Sequence, residues 1–415
     1  MVRSAAGILL GLTLITPGLA RAGHQHGCPG DCDASGGVSL AEVERVAREI
    51  FTTGGCPAAD ADGDGAVTAA DLLQVVLARV DPNRCAVATP IATGTVCATP
   101  TPTSTPSTPM TRTPPAGTPR STWIPQTPLA QGARQEVAVA ALGARVLVIG
   151  GLNSSVQGSR AVEVYDTESG EWSAVASLPD ARHHIGADTL GGFVYAVGGF
   201  VRNTFSPTAD SYRYDPGANA WAPIDSLPTP RGALALVALD GRLHAVGGSG
   251  IGGSVGDHAV YDPTTGVWAS TFAPLPTGRN HLAAVALDGY MYVIGGRIDG
   301  GGMVNSDALD RYDPVEDAWE ALAPMPTARS GHAAAVLGAR IVVMGGEVNP
   351  SHPDRVFPHV EIYDPAADRW TSIDPMPVPR HGIGAASIGG LIYVPGGAVR
   401  AGFGATAHTD ALMIE

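Results

Sequence analysis

The sequence predicts an all-β protein built from six repeats, and three landmarks indicate it. The chain has six tryptophans, at positions 123, 172, 221, 268, 319 and 370. Gly-Gly pairs begin at 150, 198, 247, 295, 345 and 396, and arginines stand at 134, 182, 231, 279, 329 and 380. Each landmark recurs every 47 to 51 residues. A shared period of this length is typical of a repeat architecture in which each unit is one supersecondary structure.

Each repeat has the composition of four β-strands, as the fourth repeat shows. The small, apolar run HLAAVAL (281–287) suits a strand crowded near a central axis, and YMYVI (290–294) has the β-branched and aromatic residues of a second strand. A Gly-Gly pair then lets the backbone bend where a Cβ would clash. In YDPVEDAW (312–319), the proline ends a third strand and the tryptophan opens a fourth.

These units resemble kelch repeats, most clearly LPTGRNHLAAVALDGYMYVIGG (275–296) and MPTARSGHAAAVLGARIVVMGG (325–346). The resemblance implies a four-stranded blade per unit and a six-bladed kelch β-propeller over residues 122–415. The last residues, ALMIE (411–415), align with the third strand of a blade, and no tryptophan strand follows them. We therefore expect residues near 122–128 to complete blade six as its outer strand and to close the ring.

Residues 1–22 have the features of a signal peptide. Arg3 precedes an apolar stretch from about Ala5 to Leu14, and Ala20-Arg21-Ala22 suits cleavage. The stretch is shorter than the roughly 20 apolar residues that span a bilayer. The sequence thus predicts a secreted protein, extracellular or periplasmic, without membrane insertion. The formal net charge of −14 argues against a nucleic-acid partner.

Residues 23–85 contain two acidic loops that predict calcium binding. Both loops fit a twelve-residue calcium-binding template, with oxygen ligands at positions 1, 3, 5, 7, 9 and 12 and glycine at position 6. The ligands are Asp31, Asp33, Ser35, Gly37, Ser39 and Glu42 in the first loop, and Asp60, Asp62, Asp64, Ala66, Thr68 and Asp71 in the second. Converging carboxylates repel each other unless a cation lies among them, so we expect calcium as the cofactor. The second loop is the better site because it has Asp64 where the first has Ser35.

An apolar helical pattern follows each loop, so residues 23–85 are expected to form a small α-helical domain with paired calcium loops. Two loop-plus-helix units resemble a dockerin, and this resemblance implies docking to a cohesin-like partner. The sequence favours the alternative of a self-contained, calcium-stabilised module, because the chain departs from the dockerin pattern at its cysteines. Four cysteines depart from the dockerin pattern and indicate two disulfides whose pairing stays open, with Cys97 left over: Cys28, Cys32, Cys56 and Cys85. Residues 86–121 form a Thr- and Pro-rich linker of extended character.

The candidate ligand-binding residues of the propeller lie where the repeats differ. The loops after the Gly-Gly pairs are long, glycine-rich and unlike one another, and variable loops on a rigid scaffold commonly carry binding. The position after each repeated arginine is polar in five of six repeats. The candidates are Gln135, His183, His184, Arg202, Asn280, His281, Arg297, Ser330, His332, Glu347, His381 and Arg400.

Several of these residues have a structural alternative. Histidines at the start of an inner strand can bond the backbone of a neighbouring blade. A metal site formed by His184, His281 and His381 would need three rings to converge from positions that are one residue out of phase. The sequence therefore favours the structural role for the histidines. It also favours a structural role for the repeated arginines, which every repeat has whatever its loop.

Three classes of function follow from the sequence. The favoured class is a secreted binding protein whose propeller recognises an extracellular glycan or protein and is tethered through the calcium module. The second is a sugar-converting enzyme that resembles sialic-acid mutarotases, with Glu136 or Glu347 as the acid/base group beside Arg297. The third is a structural surface protein. Copper chemistry resembling that of galactose oxidase is excluded, because it needs a propeller cysteine and all five cysteines precede residue 98.

Overall fold

The computed structural model describes residues 119–299 and 303–415, which belong to one unit of the chain, Thr111–Glu415. The predicted signal peptide, the calcium loops with their helices, the cysteines and most of the linker lie outside the described residues. Within the described ranges the regular elements are β-strands. This part of the chain contains no helix that could cross a lipid bilayer.

The strands confirm the six-bladed propeller, because they form six four-stranded antiparallel sheets. The strands are given for each blade in order from the inner to the outer strand. Blade one consists of Ala138–Leu142, Arg145–Ile149, Val162–Asp166 and Glu171–Ala174. Blade two consists of Gly186–Leu190, Phe193–Val197, Ser211–Asp215 and Ala220–Ile224, and blade three of Ala235–Leu239, Arg242–Val246, His258–Asp262 and Val267–Ala269. Blades four to six consist of Ala283–Leu287, Tyr290–Ile294, Leu309–Asp313 and Ala318–Ala321; Ala333–Leu337, Arg340–Met344, Val360–Asp364 and Arg369–Ile373; and Ala386–Ile388, Leu391–Pro395, Thr409–Ile414 and Ser121–Gln126.

Blade six is closed by strands from both ends of the propeller, as the sequence predicts. Ser121–Gln126 pairs antiparallel with Thr409–Ile414, and Trp123 lies opposite Leu412. The outer strand of this blade therefore comes from the start of the repeats, while its other three strands come from their end. Joining the ends in this way satisfies a sheet edge that would otherwise be open to pairing with another chain.

Four short two-stranded ladders lie outside the blades: the first two join an arginine-bearing segment to the loop after the Gly-Gly pair, and the last two lie within such a loop. Their strands are Arg134–Gln135 with Leu152–Asn153, Arg182–His183 with Phe200–Val201, Ser249–Gly250 with Gly253–Ser254, and Arg297–Ile298 with Val304–Asn305. The ladders fix the start of four loops, and isolated bridges from Ser330 to Glu347 and from His381 to Ala398 fix the other two.

The six repeated arginines are structural, as expected, because each is buried in its own blade. Each guanidinium lies near a carboxylate on or directly before the third strand of that blade. The partners, in chain order, are Glu163, Asp210, Asp257, Asp310, Glu361 and Asp410. Most of the arginines also donate hydrogen bonds to backbone carbonyls directly after the second strand or directly before the third. These contacts fix the loop-bearing end of each blade.

The Gly-Gly pairs make the connection between neighbouring blades. Both glycines have positive φ in every pair, at 54–72° for the first and 94–118° for the second. The second N–H donates to the carbonyl of the next blade's repeated arginine, with N–O distances of 2.8–3.0 Å. A Cβ on Gly345 would lie 2.4 Å from the Arg380 carbonyl oxygen. Glycine is therefore required both by conformation and by this close approach.

The tryptophans join each blade to the preceding one. In five blades the indole Nε1–H donates to a backbone carbonyl of the previous blade at 2.8–2.9 Å, as Trp172 does to Thr127. Each of these five indole rings also packs on the tyrosine opposite it on the third strand of its own blade, with centroids 5.0–5.3 Å apart. Large rings thus fill the wedge between sheets, as the sequence indicates.

Candidate functional site

The centre of the propeller is a ring of six residues, one from each blade, which we call the axial ring. Its members are Glu136, His184, Ala233, His281, Gly331 and Gly382. Each N–H donates to the carbonyl of the ring member in the adjacent blade, and the six bonds close a circle with N–O distances of 2.8–3.1 Å. All six residues have φ between 51° and 64°. The ring brings Glu136, His184 and His281 to one place around the axis.

Three further candidates reach the same place and, with the three side chains of the ring, form what we call the axial cluster. Arg297 lies 2.5 Å from Glu347 Oε1 through its NH1 and 3.0 Å from His281 Nε2 through its NH2. His381 Nδ1 lies 3.5 Å from Glu136 Oε1 and 3.4 Å from Glu347 Oε2. The axial cluster is therefore a mixed set of three imidazoles, two carboxylates and one guanidinium.

The charges in the axial cluster are set by burial and by the two carboxylates. Burial lowers the pKa of His184 and outweighs the opposing effect of Glu136. Burial, together with the Arg297 charge, holds the pKa of His281 well below its usual value. His381 differs, because Glu136 and Glu347 outweigh its burial and raise its pKa. Near neutral pH, His184 and His281 therefore present uncharged rings.

The polar residues that directly follow the repeated arginines are hydrogen-bonded to the loops and do not form an open surface. His183 Nε2 donates to the Thr204 carbonyl at 2.9 Å, and His381 Nε2 donates to the Arg400 carbonyl at 2.9 Å. Gln135, Asn280 and Ser330 likewise bond groups of the overlying loops. All five side chains are buried. Through these hydrogen bonds, the five residues affect binding by positioning the loops.

The remaining candidates are scattered. Arg202 and Arg400 lie on exposed loops and do not join the axial cluster. His332 is buried beside the axis, and neither of its ring nitrogens has a hydrogen-bond partner among the described residues. A Cβ on Gly295 would lie 2.7 Å from its Cε1, so His332 packs against the Gly-Gly connection of blade four.

The central channel opens beside the axial ring. It contains a cavity of about 170 Å³ that is lined by the inner strands of all six blades. Glu136, His184 and His281 are among its lining residues, and most of the others are small or aliphatic. The three ring residues thus border a cavity that is large enough for water or a small ion.

Exposed apolar side chains surround this centre, a feature that the sequence reasoning missed. We call the face formed by the loops after the Gly-Gly pairs the loop face. Its exposed large apolar residues are Phe205, Ile251, Ile298, Met303, Val304, Val399 and Phe403. The other two such residues in the described ranges, Val267 and Val315, lie beside or within the turns that join third and fourth strands, on the opposite face. The signal in the sequence was the presence of Phe, Ile and Met in loops otherwise rich in glycine and polar residues.

The closed ring of six four-stranded blades, with its repeated arginine, Gly-Gly pair and tryptophan, defines a kelch-type six-bladed propeller. Sequence comparison agrees with this class. A profile of the Attractin/LZTR1 beta-propeller family matches residues 146–404, and the chain belongs to that family.

The curated relatives share only segments with this chain. Human Kelch-like protein 23 is 32% identical over 91 residues, which are 22% of this chain and 16% of that protein. Mouse Kelch-like protein 3 is 44% identical over 55 residues, which are 13% of this chain and 9% of that protein. The chain therefore spans less than a fifth of the length of either relative.

Among solved structures, the one titled "Structure of YjhT" is similar to this chain. The TM-score is 0.59 at 16% sequence identity, over 70% of this chain and 99% of that chain. At this identity the similarity shows the fold alone. It supports a complete propeller in the C-terminal part of this chain.

Proposed function

We propose that this protein binds a protein partner through its loop face. The observation that carries the proposal is the distribution of exposed apolar residues, since seven of the nine large ones lie on this face. Ile251 is 92% exposed and Met303 is 57% exposed. Apolar side chains clustered on one face of a soluble domain mark interaction sites.

The loop face is also held in place, which favours binding. The Ala401 N–H donates to the Asp354 carbonyl at 2.8 Å, so the loops of blades five and six are joined. The Asp299 N–H donates to Ser254 Oγ at 3.0 Å, which joins the loops of blades three and four. A surface that is ordered before binding loses less conformational entropy on association.

The chemistry of the exposed residues favours a protein over a glycan. Phe205 and Phe403 are the large aromatic side chains exposed on this face, and neither has a polar group that could bond a sugar hydroxyl. Ile251, Met303 and Val304 offer aliphatic surface, which suits the apolar centre of a protein interface. A glycan ligand is the alternative, and its hydrogen bonds would come from exposed side chains such as Arg202 and Arg400.

We further propose that the protein acts outside the cytoplasm and is tethered there. The signal-peptide pattern of residues 1–22 supports export, and the two acidic loops in residues 23–85 support a calcium-binding anchor. The dockerin resemblance supports a cohesin-like partner for that anchor. The Thr- and Pro-rich linker would then separate the anchor from the propeller.

Acidic substitutions on the loop face are expected to abolish partner binding. A carboxylate in an apolar interface must be desolvated without a partner, so Ile251→Asp with Met303→Asp should raise the Kd at least about 30-fold, as for a binding hot spot of about 2 kcal/mol or more. The control is Val267→Asp with Val315→Asp, which makes the same change on the opposite face. Full-length protein would capture partners from the extracellular fraction, and calorimetry with the purified partner would give the Kd.

Equal loss of binding in the loop-face variant and its control would contradict the proposal. A partner that proves to be a glycan on a glycan array, with binding unaffected by the aspartates but lost in Arg202→Ala, would replace the protein ligand by the alternative.

The calcium loops are expected to bind two ions per chain, with the second loop the tighter. Asp60→Ala with Asp64→Ala removes two carboxylates from that loop and should leave one weaker site. Equilibrium dialysis with ⁴⁵Ca²⁺ measures the stoichiometry directly. Full retention of both sites in this variant, or no calcium bound by the unaltered chain, would contradict the calcium proposal.

An enzyme acting on sugars is a second candidate, supported by the juxtaposition of Arg297, Glu347 and Glu136 at the axis. Two carboxylates beside a cation can supply acid/base chemistry. The same side chains are nearly enclosed, since the Glu347 carboxylate is 7% exposed and Arg297 is 13% exposed. A sugar ring would need the overlying loops to move before it could reach them, so the loop face supports binding better than turnover.

A further inference from the structure

Three of the six positions in the axial ring carry chemically active side chains at a cost in backbone energy. The left-handed conformation costs a residue with a Cβ roughly 1 kcal/mol, and glycine avoids that cost. Gly331 and Gly382 occupy this conformation in blades five and six, whereas Glu136, His184 and His281 adopt it with φ of 51–55°. Strain of this kind at residues that meet in one place is typical of functional sites.

The hydrogen bonds fix which nitrogen of His184 carries a proton. His183 Nε2 bonds the Thr204 carbonyl, so that nitrogen is the donor and the Nδ1 of the neutral His183 ring is an acceptor. His184 Nδ1 lies 2.5 Å from His183 Nδ1 and must therefore be the donor of that contact. It follows that His184 Nε2 carries a lone pair when the ring is neutral.

The same reasoning applies to His281. Its Nδ1 lies 2.5 Å from Asn280 Oδ1, and the Asn280 amide nitrogen donates to Ser254 and Asp299, which fixes the amide orientation. His281 Nδ1 therefore donates, and its Nε2 carries a lone pair. A buried carbonyl that orients an imidazole in this way is the usual outer partner of a metal-binding histidine.

The lone pair of His184 faces a carboxylate, whereas that of His281 faces the Arg297 guanidinium. His184 Nε2 lies 3.3 Å from Glu136 Oε2, which is an acceptor facing an acceptor in a buried site. Ligand atoms of Glu136, His184 and His281 all lie within 4.8 Å of one another. A tetrahedral zinc ion with bonds of about 2.0–2.1 Å spaces its ligands roughly 3.3 Å apart. The Glu136–His184 contact already has this spacing.

A second observation points to the same place. His381 Nδ1 is fully buried and makes no hydrogen bond of acceptable geometry, although it lies 3.4–3.5 Å from the carboxylates of Glu136 and Glu347. An added Cβ on Gly382 would lie 2.6 Å from Glu136 Oε1, so glycine at that ring position leaves room for the carboxylate. Glycine at position 382 thus makes room for the Glu136 carboxylate, and the buried His381 Nδ1 beside it is left without a hydrogen bond from the described residues.

We propose that Glu136, His184 and His281 bind a divalent transition-metal ion of the zinc class at the channel axis, with water from the central cavity as a further ligand. Two imidazoles and one carboxylate suit zinc and its neighbours, whereas calcium requires six to eight oxygens. The sequence reasoning considered His381 in place of Glu136 and set the site aside. The structure instead brings His184 and His281 together with the carboxylate of Glu136, and all three are members of the axial ring.

Arg297 competes with the metal ion for the Nε2 lone pair of His281. Its NH2 occupies the lone pair of His281 at 3.0 Å, so the ion must displace that contact while Glu347 retains Arg297 through NH1. Replacing the arginine by a neutral residue therefore removes a competing donor and a repelling charge. Arg297→Gln is expected to bind the metal more tightly than the unaltered chain.

Zinc binding to the full chain, measured by calorimetry in excess Ca²⁺, tests the proposal. The calcium keeps the acidic loops of residues 23–85 occupied, and Co²⁺ absorption reports nitrogen coordination independently. The unaltered chain should bind one more zinc ion than His184→Gly or His281→Gly, with affinity at the axial site at least about tenfold weaker in either variant. Glycine is chosen because the ring accepts it in blades five and six, and tryptophan fluorescence verifies folding.

His332→Leu is the matched control, since it removes another buried histidine beside the channel and should leave zinc binding unchanged. The proposal is overturned if the two glycine variants bind as much zinc as the unaltered chain. It is also overturned if the unaltered chain binds no zinc, or if Arg297→Gln weakens the binding.

Discussion

Replacing Arg329 by alanine is expected to lower the free energy of unfolding of the propeller by about 3–5 kcal/mol. Arg329 and Glu361 are both almost completely buried, and their N–O distance is 2.9 Å. Arg329 also donates to the carbonyls of His359 and Val343. Without the guanidinium, the Glu361 carboxylate keeps only the Thr327 hydroxyl as a side-chain donor among residues 119–299 and 303–415, so a buried charge is left uncompensated.

Urea unfolding at pH 7, followed by tryptophan fluorescence, measures this effect in the full chain. All six tryptophans lie in the propeller, so the signal reports that domain. The control is Arg242→Ala, whose partner Asp262 lies 3.5 Å away and whose own side chain is 51% exposed. An exposed pair contributes about 1 kcal/mol or less. Equal effects of the two substitutions would show that the buried arginines do not hold the blades.

Lowering the pH from 7 to 4.5 is expected to reduce the free energy of unfolding by on the order of 3 kcal/mol or more. Burial lowers the pKa of His332 and of His244 from 6.5 to about 3. Between pH 6.5 and 3 the unfolded chain therefore binds protons that the folded rings refuse, so stability falls as the pH falls. His381 acts in the opposite direction, because its raised pKa gives stability that is lost as the pH rises.

His332→Leu separates this effect from the general response of an acidic protein to acid. The apolar side chain removes one titrating group, so the variant should lose about 2–3 kcal/mol less than the unaltered chain over the same pH interval. Unfolding in urea at several pH values gives both curves. Parallel curves would mean that His332 does not stay neutral in the folded protein.

The framework could be predicted from the sequence because every blade repeats it. The arginines, Gly-Gly pairs and tryptophans recur at one period, and each proved to make the same contact in all or nearly all blades. Closure by residues 121–126 could also be predicted, because the last repeat lacked its tryptophan strand. These inferences needed only the periodicity and the chemistry of each residue type.

The candidate site was harder to predict because it depends on differences between blades. Glu136, His184 and His281 come from three repeats, and only ring closure shows that their side chains meet. The tautomers of His184 and His281 depend on Thr204 and Asn280, which the period does not reveal. Exposure in the loops depends on how each loop packs, so Ile251 in the glycine-rich run SGIGGSVGDH gave no sign of being 92% exposed.

The most direct test of the loop-face proposal is a hydrogen-exchange footprint of the full chain with its captured partner. We expect slower exchange on binding in the loops that carry the apolar residues, residues 200–208, 249–258, 297–306 and 398–408. Exchange should be unchanged at the turns around Val267 and Val315. Protection confined to those opposite turns, or to the outer tryptophan strands, would contradict the assignment of binding to the loop face.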